Sequence, residues 1–316
     1  MTGVPAISGG QHDTVELPPP WPGADVRLAD RTLFVREARS TGAQPEPAVM
    51  IHGLGGSSLN WTDLMAALQD RLAAVAPDLS GFGASPPPRD GDYSPAGHAR
   101  GMAALIEHRF GRRAVHVFGN SLGGAVAVQL AARRPDLVAS LTLVSPALPD
   151  LRPKRTNVHL PIASIPGVGE AALRRYARVD ASARTRATLQ LCFGDPTRVN
   201  PRRFAEAVEE LERRDDLPYA GDALLGSLRG LIATYLDAGR DRPWRLAERI
   251  TCPVLLVYGR ADKLVDVRAA HRASRHFRDV RITVLSDTGH VAQIEHPDRV
   301  ALAWTTLLDR RRPTTP

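Results

Sequence analysis

Residues 115–133 read VHVFGNSLGGAVAVQLAAR, and this stretch decides the fold. An apolar run typical of a buried strand, Val115 to Phe118, turns almost at once into a helix-period segment that begins at Leu122. Such a tight turn strains the backbone of Ser121 and brings strand and helix too close together for a Cβ atom between them. This explains why glycines, Gly119 and Gly123, stand on both sides of the serine. The pattern predicts that the Ser121 hydroxyl stands out over the edge of a sheet.

Working outward, short apolar runs alternate with helix-period segments. The runs, which suit parallel strands covered on both faces, are 48–51, 73–76, 115–118, 141–144, 254–258 and 282–285. The helical segments are 58–69, 94–109, 121–133, 267–276 and 297–310. A hairpin with one solvated face precedes them, at 26–28 and 33–35. This order predicts an α/β fold with a doubly wound, mostly parallel sheet and helices on both faces.

The alternation is interrupted once, between Val144 and Val254. Residues 150–246 show helical periodicity without a strand run, which predicts an inserted helical cap. The core is then 25–149 with 247–316, and the Gly- and Pro-rich residues 1–24 are expected to form a flexible arm. Over 151–245 the net charge is +5, which indicates a solvated helical face or, alternatively, attraction of anionic substrates.

Composition narrows the class of protein. Hydrophobic residues make up 43% and charged residues 24% of the chain, as in ordinary globular proteins. The net charge of +7 is scattered among acidic residues, so no nucleic-acid partner is expected. Two distant cysteines favour reduced thiols over a disulfide or a metal site. With no signal-peptide pattern and no apolar run near ~18 residues, we expect a cytoplasmic protein, with contact to a membrane surface left open.

A serine hydroxyl needs a base to take its proton, and His290 is the best candidate. It follows the run 282–285 and a polar loop that ends at Gly289, which is expected to let the backbone turn the ring toward the sheet edge. Of the other histidines, His98, His108, His271 and His276 lie on helical runs beside charges, and His116 lies within a strand. His296 is the rival.

The base needs a carboxylate to orient it. Asp262 stands just beyond the run 254–258, at the same predicted edge of the sheet, and is the favoured acid. Asp150, past the run 141–144, and Asp266 are the alternatives.

Ester cleavage by a serine also needs fixed N–H donors that stabilise the negative charge developing on the substrate oxygen. The glycine-rich turn His52-Gly53-Leu54-Gly55-Gly56 follows a strand run, and the backbone amides of Leu54 and Leu122 are the predicted oxyanion donors. Gly53, Asn120 and Val291 are the predicted substrate-binding residues. Asp78, after the next strand, is expected to pin its loop rather than to take part in chemistry.

These motifs together resemble the α/β-hydrolase fold family, over residues 25–149 and 247–310. The resemblance rests on HGLGG, DLSGFGAS, GNSLGG, Gly259 to Asp262, and Gly289-His290 with Glu295-His296-Pro297, and on the chain order Ser, Asp, His. It implies a sheet of eight strands with a helical cap after strand six, and neither a cofactor nor a metal. Within the family the chain is most similar to capped carboxylesterases and lipases and to hydrolases of meta-cleavage products. A serine at the tight turn between strand and helix, the nucleophile elbow, argues against haloalkane dehalogenases and epoxide hydrolases.

The leading functional hypothesis is hydrolysis of a carboxylic ester of a small or medium-sized, largely apolar molecule, through an acyl-enzyme on Ser121. The second is carbon–carbon bond hydrolysis with the same residues. A third, of a different class, is a hydrolase-like receptor that binds its ligand with little turnover. The expected partner is a small-molecule substrate, and the chain is expected to act as a monomer or a homodimer.

Overall fold

A mixed sheet of eight strands with helices on both faces makes up the core of the computed structural model, which describes residues 17–149, 154, 156 and 159–309. The strands are β1 (Gly23–Arg27), β2 (Thr32–Glu37), β3 (Glu46–Ile51), β4 (Leu72–Pro77), β5 (Val115–Asn120), β6 (Val138–Val144), β7 (Val254–Gly259) and β8 (Val280–Leu285). Their order across the sheet is β1-β2-β4-β3-β5-β6-β7-β8. β2 is antiparallel to both of its neighbours, β1 and β4, and every pair of neighbouring strands from β4 to β8 along this order is parallel. The predicted fold class is therefore confirmed.

Helices connect most of the parallel strands. Those of the core are α1 (Thr62–Ala67), α2 (Pro95–Phe110), α3 (Leu122–Arg133), α10 (Ala269–His276), α11 (Ala292–Glu295) and α12 (Pro297–Asp309). Between β6 and β7 lie α4 (His159–Ala163), α5 (Val168–Tyr176), α6 (Ala181–Cys192), α7 (Pro201–Asp215), α8 (Ala220–Leu236) and α9 (Pro243–Ala247). Among the described helices, none has both the length and the apolar character of a membrane span.

The central strands are buried on both faces, which explains why their sequences are continuous apolar runs. Every residue of β5 and of β7 is buried. The two faces of the sheet belong to separate apolar clusters, one built around α2 and α3 and the other around α1 and α12. α3 is buried along almost its whole length, so the elbow that precedes it is anchored in the interior.

Helix α8, one of the helices between β6 and β7, lies against the loop that follows β4. A Cβ added to Gly81 of that loop would come within 2.6 Å of Ala223 Cβ in α8, and one added to Gly226 would lie 2.8 Å from the Tyr93 ring. His98 Nε2 in α2 and Ser227 Oγ in α8 are 3.0 Å apart in the interior. α8 is thus fixed to the core by close backbone contact.

The C-terminal end of the predicted arm, 1–24, is part of the folded core. β1 begins at Gly23, and the Trp21 indole donates a hydrogen bond to Thr62 O at 3.0 Å. Trp21 also packs against the apolar cluster around α1, so burial of the indole orders this part of the chain. Residues 1–16 of the predicted arm lie outside the described residues.

Candidate active site

Ser121 occupies the turn between β5 and α3 in a conformation that L-residues rarely adopt, with φ 52° and ψ −116°. Its N–H donates to Val144 O at 3.1 Å, and its carbonyl accepts from Ala147 N at 2.9 Å, so β6 and the chain after it hold the turn on one side. A Cβ on Gly119 would lie 2.4 Å from Gly123 O. The predicted strain and the predicted need for flanking glycines are both confirmed.

His290 and Asp262 form a buried pair. His290 Nδ1 donates to Asp262 Oδ2 at 3.0 Å, and the two side chains are 5% and 0% exposed. Asp262 Oδ1 accepts from the backbone N–H groups of Leu264 and Val265 at 2.7 and 2.9 Å. Burial alone would raise the Asp262 pKa, but the charge of His290 and these hydrogen bonds outweigh it and hold the pKa below its ordinary value. Asp262 is therefore ionised at neutral pH and accepts the Nδ1 proton of His290, and within the described residues no hydrogen bond engages Nε2.

Asn120 and Gly53 bring together three parts of the site: the elbow at Ser121, the loop that carries His290 (the base loop) and the glycine-rich turn at 52–56. The Asn120 side-chain amide donates to His290 O at 3.0 Å and to Val144 O at 3.1 Å. A Cβ on Gly53 would lie 3.1 Å from Asn120 Oδ1 and 3.2 Å from Ser121 Cβ. Both N–H donors of Asn120 thus serve the framework, while contact of Asn120, Gly53 and Val291 with a substrate stays a prediction.

The turn at 52–56 is held from behind by His52. Leu79 N donates to His52 Nε2 at 2.9 Å, so the ring proton is on Nδ1, which donates to Gly53 O at 2.8 Å. Burial lowers the His52 pKa and keeps the ring neutral in this role. Among the described residues, neither Leu54 N nor Leu122 N has a hydrogen-bond acceptor. Their role as oxyanion donors stays a prediction.

Asp78 has the structural role expected of it. Its carboxylate accepts from Ser58 N at 2.6 Å and Ala84 N at 2.8 Å, which ties the start of the short 3₁₀ helix Ser58–Trp61 to the loop after β4.

The rival residues lie in other contacts. His296 Nε2 is 2.8 Å from Arg198 Nη1, at the surface. Asp266 is bound to Arg268 at 2.7 Å, and that hydrogen bond lowers its pKa to about 2. Asp150 lies outside the described residues.

Glu295 is a feature of this site that sequence reasoning missed. Its side chain is 0% exposed, and its carboxylate accepts three backbone N–H groups: Gly289 at 2.7 Å, Gly194 at 3.1 Å and Asp195 at 3.1 Å. His290 N in turn donates to Cys192 O at 2.6 Å. The loop that carries His290 is thereby tied to the segment between α6 and α7, which we call the junction segment (192–195).

Gly289 is needed for a different reason from the one predicted. Its φ is not positive, so no unusual turn of the backbone requires a glycine there. A Cβ at this position would lie 2.3 Å from Cys192 O and 2.4 Å from Gly194 N. Close approach of the junction segment therefore excludes any side chain at position 289.

Comparison with known proteins agrees with this architecture. Residues 47–297 match the model of the alpha/beta hydrolase fold. An uncharacterized protein of Mycobacterium tuberculosis is 31% identical over 89% of this chain and 80% of its own length. An esterase of the same organism is 28% identical over 85% of each chain. The crystal structure of a putative lipase from Acinetobacter baumannii superposes with a TM-score of 0.75 at 20% identity, over 93% of each chain. The chain belongs to the α/β-hydrolase fold family.

Proposed function

We propose that the protein is a serine hydrolase that cleaves carboxylic esters through an acyl-enzyme on Ser121. The observation that carries the proposal is the buried His290–Asp262 pair, joined through Asn120 to a serine held in a strained turn. Similarity to an esterase and to lipases supports a hydrolase of this type. The expected cytoplasmic location remains a prediction.

In the proposed reaction each group has one task. Ser121 Oγ attacks the ester carbonyl while His290 Nε2 takes the hydroxyl proton and passes it to the leaving alcohol. Asp262 fixes the ring with its proton on Nδ1 and stabilises the imidazolium that forms. The free N–H groups of Leu54 and Leu122 hold the oxyanion. Water then attacks the acyl-enzyme by the same route and releases the acid.

Initial rates on 4-nitrophenyl esters of graded acyl length test the proposal. Ser121→Ala should keep the melting temperature and lose turnover by about 10⁶-fold, the loss seen when the nucleophile of a serine protease is removed. A receptor that only binds its ligand would show no ester turnover even as the wild type. Turnover in Ser121→Ala equal to that of the wild type would contradict the proposal.

A dienoate substrate in the same panel separates ester from carbon–carbon hydrolysis. The segment after His290 carries Val291 and Ile294, which supply no flat aromatic wall for a conjugated dienoate, whereas an ester needs only an apolar slot and oxyanion donors. We expect kcat/KM on short or medium acyl esters to exceed that on a 2-hydroxy-6-oxo-dienoate by roughly tenfold or more. Faster cleavage of the dienoate than of every ester would replace the ester assignment.

A further inference from the structure

Arg214, on α7, brings a guanidinium to the glycine-rich turn next to Ser121. Its Nη1 donates to Gly55 O at 2.6 Å. Gly55 lies in the tight turn closed by the hydrogen bond from Gly56 N to Gly53 O at 3.1 Å, and Gly53 is the residue packed against Ser121. The same turn carries the free Leu54 N–H. Arg214 therefore places a positive charge beside the turn that carries one of the two proposed oxyanion donors.

Arg214 differs from the other partly or fully buried arginines between β6 and β7. Arg184 is bonded to Asp215, and the remaining two, Arg203 and Arg229, contact Asp63 at 2.6 Å and Glu170 at 2.7 Å. For Arg214, no carboxylate oxygen lies within 4.0 Å in the described part of the chain. Among the described residues, the one hydrogen-bond partner of this half-buried charge is thus the Gly55 carbonyl.

An unpaired, partly desolvated charge is costly, so its retention needs a reason. Burial lowers the pKa of Arg214, and the attraction of Glu210 and Asp215 does not restore it. A guanidinium has five N–H donors, of which the Gly55 carbonyl uses one, and its planar fork matches the two oxygens of a carboxylate. In the part of the chain that the structure describes, no acceptor uses the remaining donors, and the contact with Gly55 places the guanidinium next to the turn that carries Leu54.

We propose that Arg214 recognises a carboxylate on the substrate, so that the preferred ester is otherwise apolar but carries one negative charge away from the scissile bond. A single guanidinium neutralises a single charge, which favours a carboxylate over a phosphate monoester. This proposal rests on the proposed ester hydrolysis at Ser121 and names its substrate class. It also gives a function to one of the positive charges of the helical segment.

A matched pair of substrates tests the proposal: mono-4-nitrophenyl glutarate and 4-nitrophenyl valerate, which have acyl chains of equal length and differ in the terminal carboxylate. Arg214→Gln should lower the ratio of kcat/KM for glutarate over valerate by about tenfold or more, because one charge-assisted bidentate contact is lost. Any disturbance of the Gly55 turn affects both esters and cancels in the ratio. Arg214→Lys should keep part of the preference.

Arg213→Gln is the control. Arg213 adjoins Arg214 on α7 but is exposed and paired with Glu210 at 2.7 Å, so its loss should leave the ratio unchanged. A ratio that Arg214→Gln changes by less than threefold, or no more than Arg213→Gln does, would overturn the proposal.

Binding to the Ser121→Ala variant distinguishes failure of this proposal from failure of the proposed function. Calorimetric titration of that variant with the two intact esters should show tighter binding of the glutarate ester, and Ser121→Ala/Arg214→Gln should lose the difference. If the wild type hydrolyses neither ester but the binding preference holds, the anion site stands and the esterase assignment is wrong. If the wild type hydrolyses both without preference and the titration shows none, Arg214 is not a substrate-binding residue.

Discussion

The nucleophile elbow and the loop that carries His290 stand at the same edge of the sheet, but they are held there in different ways. The elbow is fixed by its immediate neighbours: Gly119 packs on Gly123, and Ser121 bonds to the end of β6. The base loop is fixed by Glu295, which bonds Gly194 and Asp195, 101 and 100 residues away in the chain.

The positions of Ser121 and His290 therefore depend on different parts of the molecule. The position of Ser121 depends on the sheet and on α3, which are buried parts of the core. The position of His290 depends also on the junction segment, which belongs to the helices between β6 and β7. A displacement of the junction segment would therefore disturb the proposed base while leaving the nucleophile in place. The predictions below test this contrast, beginning with the largest expected effect.

Loss of the acid should have the largest effect on the base side. Asp262→Asn should lower kcat by about 10⁴-fold, as the equivalent change does in a serine protease, because the ring loses the partner that sets its tautomer. The control is Asp266→Asn, whose carboxylate contacts Arg268 rather than His290, and it should lower kcat by less than about threefold. Steady-state kinetics with matched melting curves would decide. Similar rates for the two variants would remove Asp262 from the proposed triad.

A side chain at Gly123 should damage the elbow through the fold itself. A Cβ there would lie 2.1 Å from Ile51 O, a backbone atom that cannot move aside. We expect Gly123→Ala to lower the free energy of unfolding by ~3 kcal/mol or more, measured by urea denaturation. Gly221→Ala, on α8, is the control: its Cβ would meet only Leu173 at 3.8 Å, and the variant should be as stable as the wild type or slightly more. Equal stability of Gly123→Ala would refute the close contact of elbow and sheet.

Much of the contrast could be predicted from the sequence, and the reason is physical. The elbow is a local pattern, in which a buried strand, a strained serine and two glycines follow one another along the chain. The short helices α9 and α11 are too brief for a periodicity to identify them. The role of Glu295 could not be predicted because its partners are backbone N–H groups, which have no residue-type pattern. Gly289 was singled out correctly but for the wrong reason, since the segment that packs on it is distant in sequence.

Removing the charge of Glu295 should affect the base loop more gently. Glu295→Gln replaces one acceptor oxygen by an amide that faces N–H donors, which leaves a buried donor unsatisfied at a cost of ~1–3 kcal/mol. We expect kcat to fall about tenfold with KM nearly unchanged, because the variant misaligns the base but leaves the substrate pocket intact. Glu248→Gln, a partly exposed carboxylate bonded to His276, is the control and should change neither constant. A rise in KM alone would contradict the positioning role of Glu295.

The last prediction concerns accessibility rather than catalysis, at Cys192, whose carbonyl accepts from His290 N. Burial raises the pKa of its thiol to about 12, so almost no thiolate is present at pH 8. In a Cys252→Ser background, iodoacetamide should modify native Cys192 on the order of 10³-fold more slowly than in urea. Because Glu295→Gln loosens the junction segment, it should raise the native rate. Equal rates in the folded and unfolded protein would show that this segment is open.

The central claim, that Ser121 is the nucleophile and His290 its base, is tested most directly by labelling with a fluorophosphonate and mapping the modified peptide. The wild type should take up one phosphonyl group, on the peptide that contains Ser121. Ser121→Ala should remain unlabelled, and His290→Ala should label far more slowly, since the hydroxyl then lacks a proton acceptor. Labelling of Ser121→Ala at the wild-type rate, or a modified peptide elsewhere in the chain, would contradict the assignment.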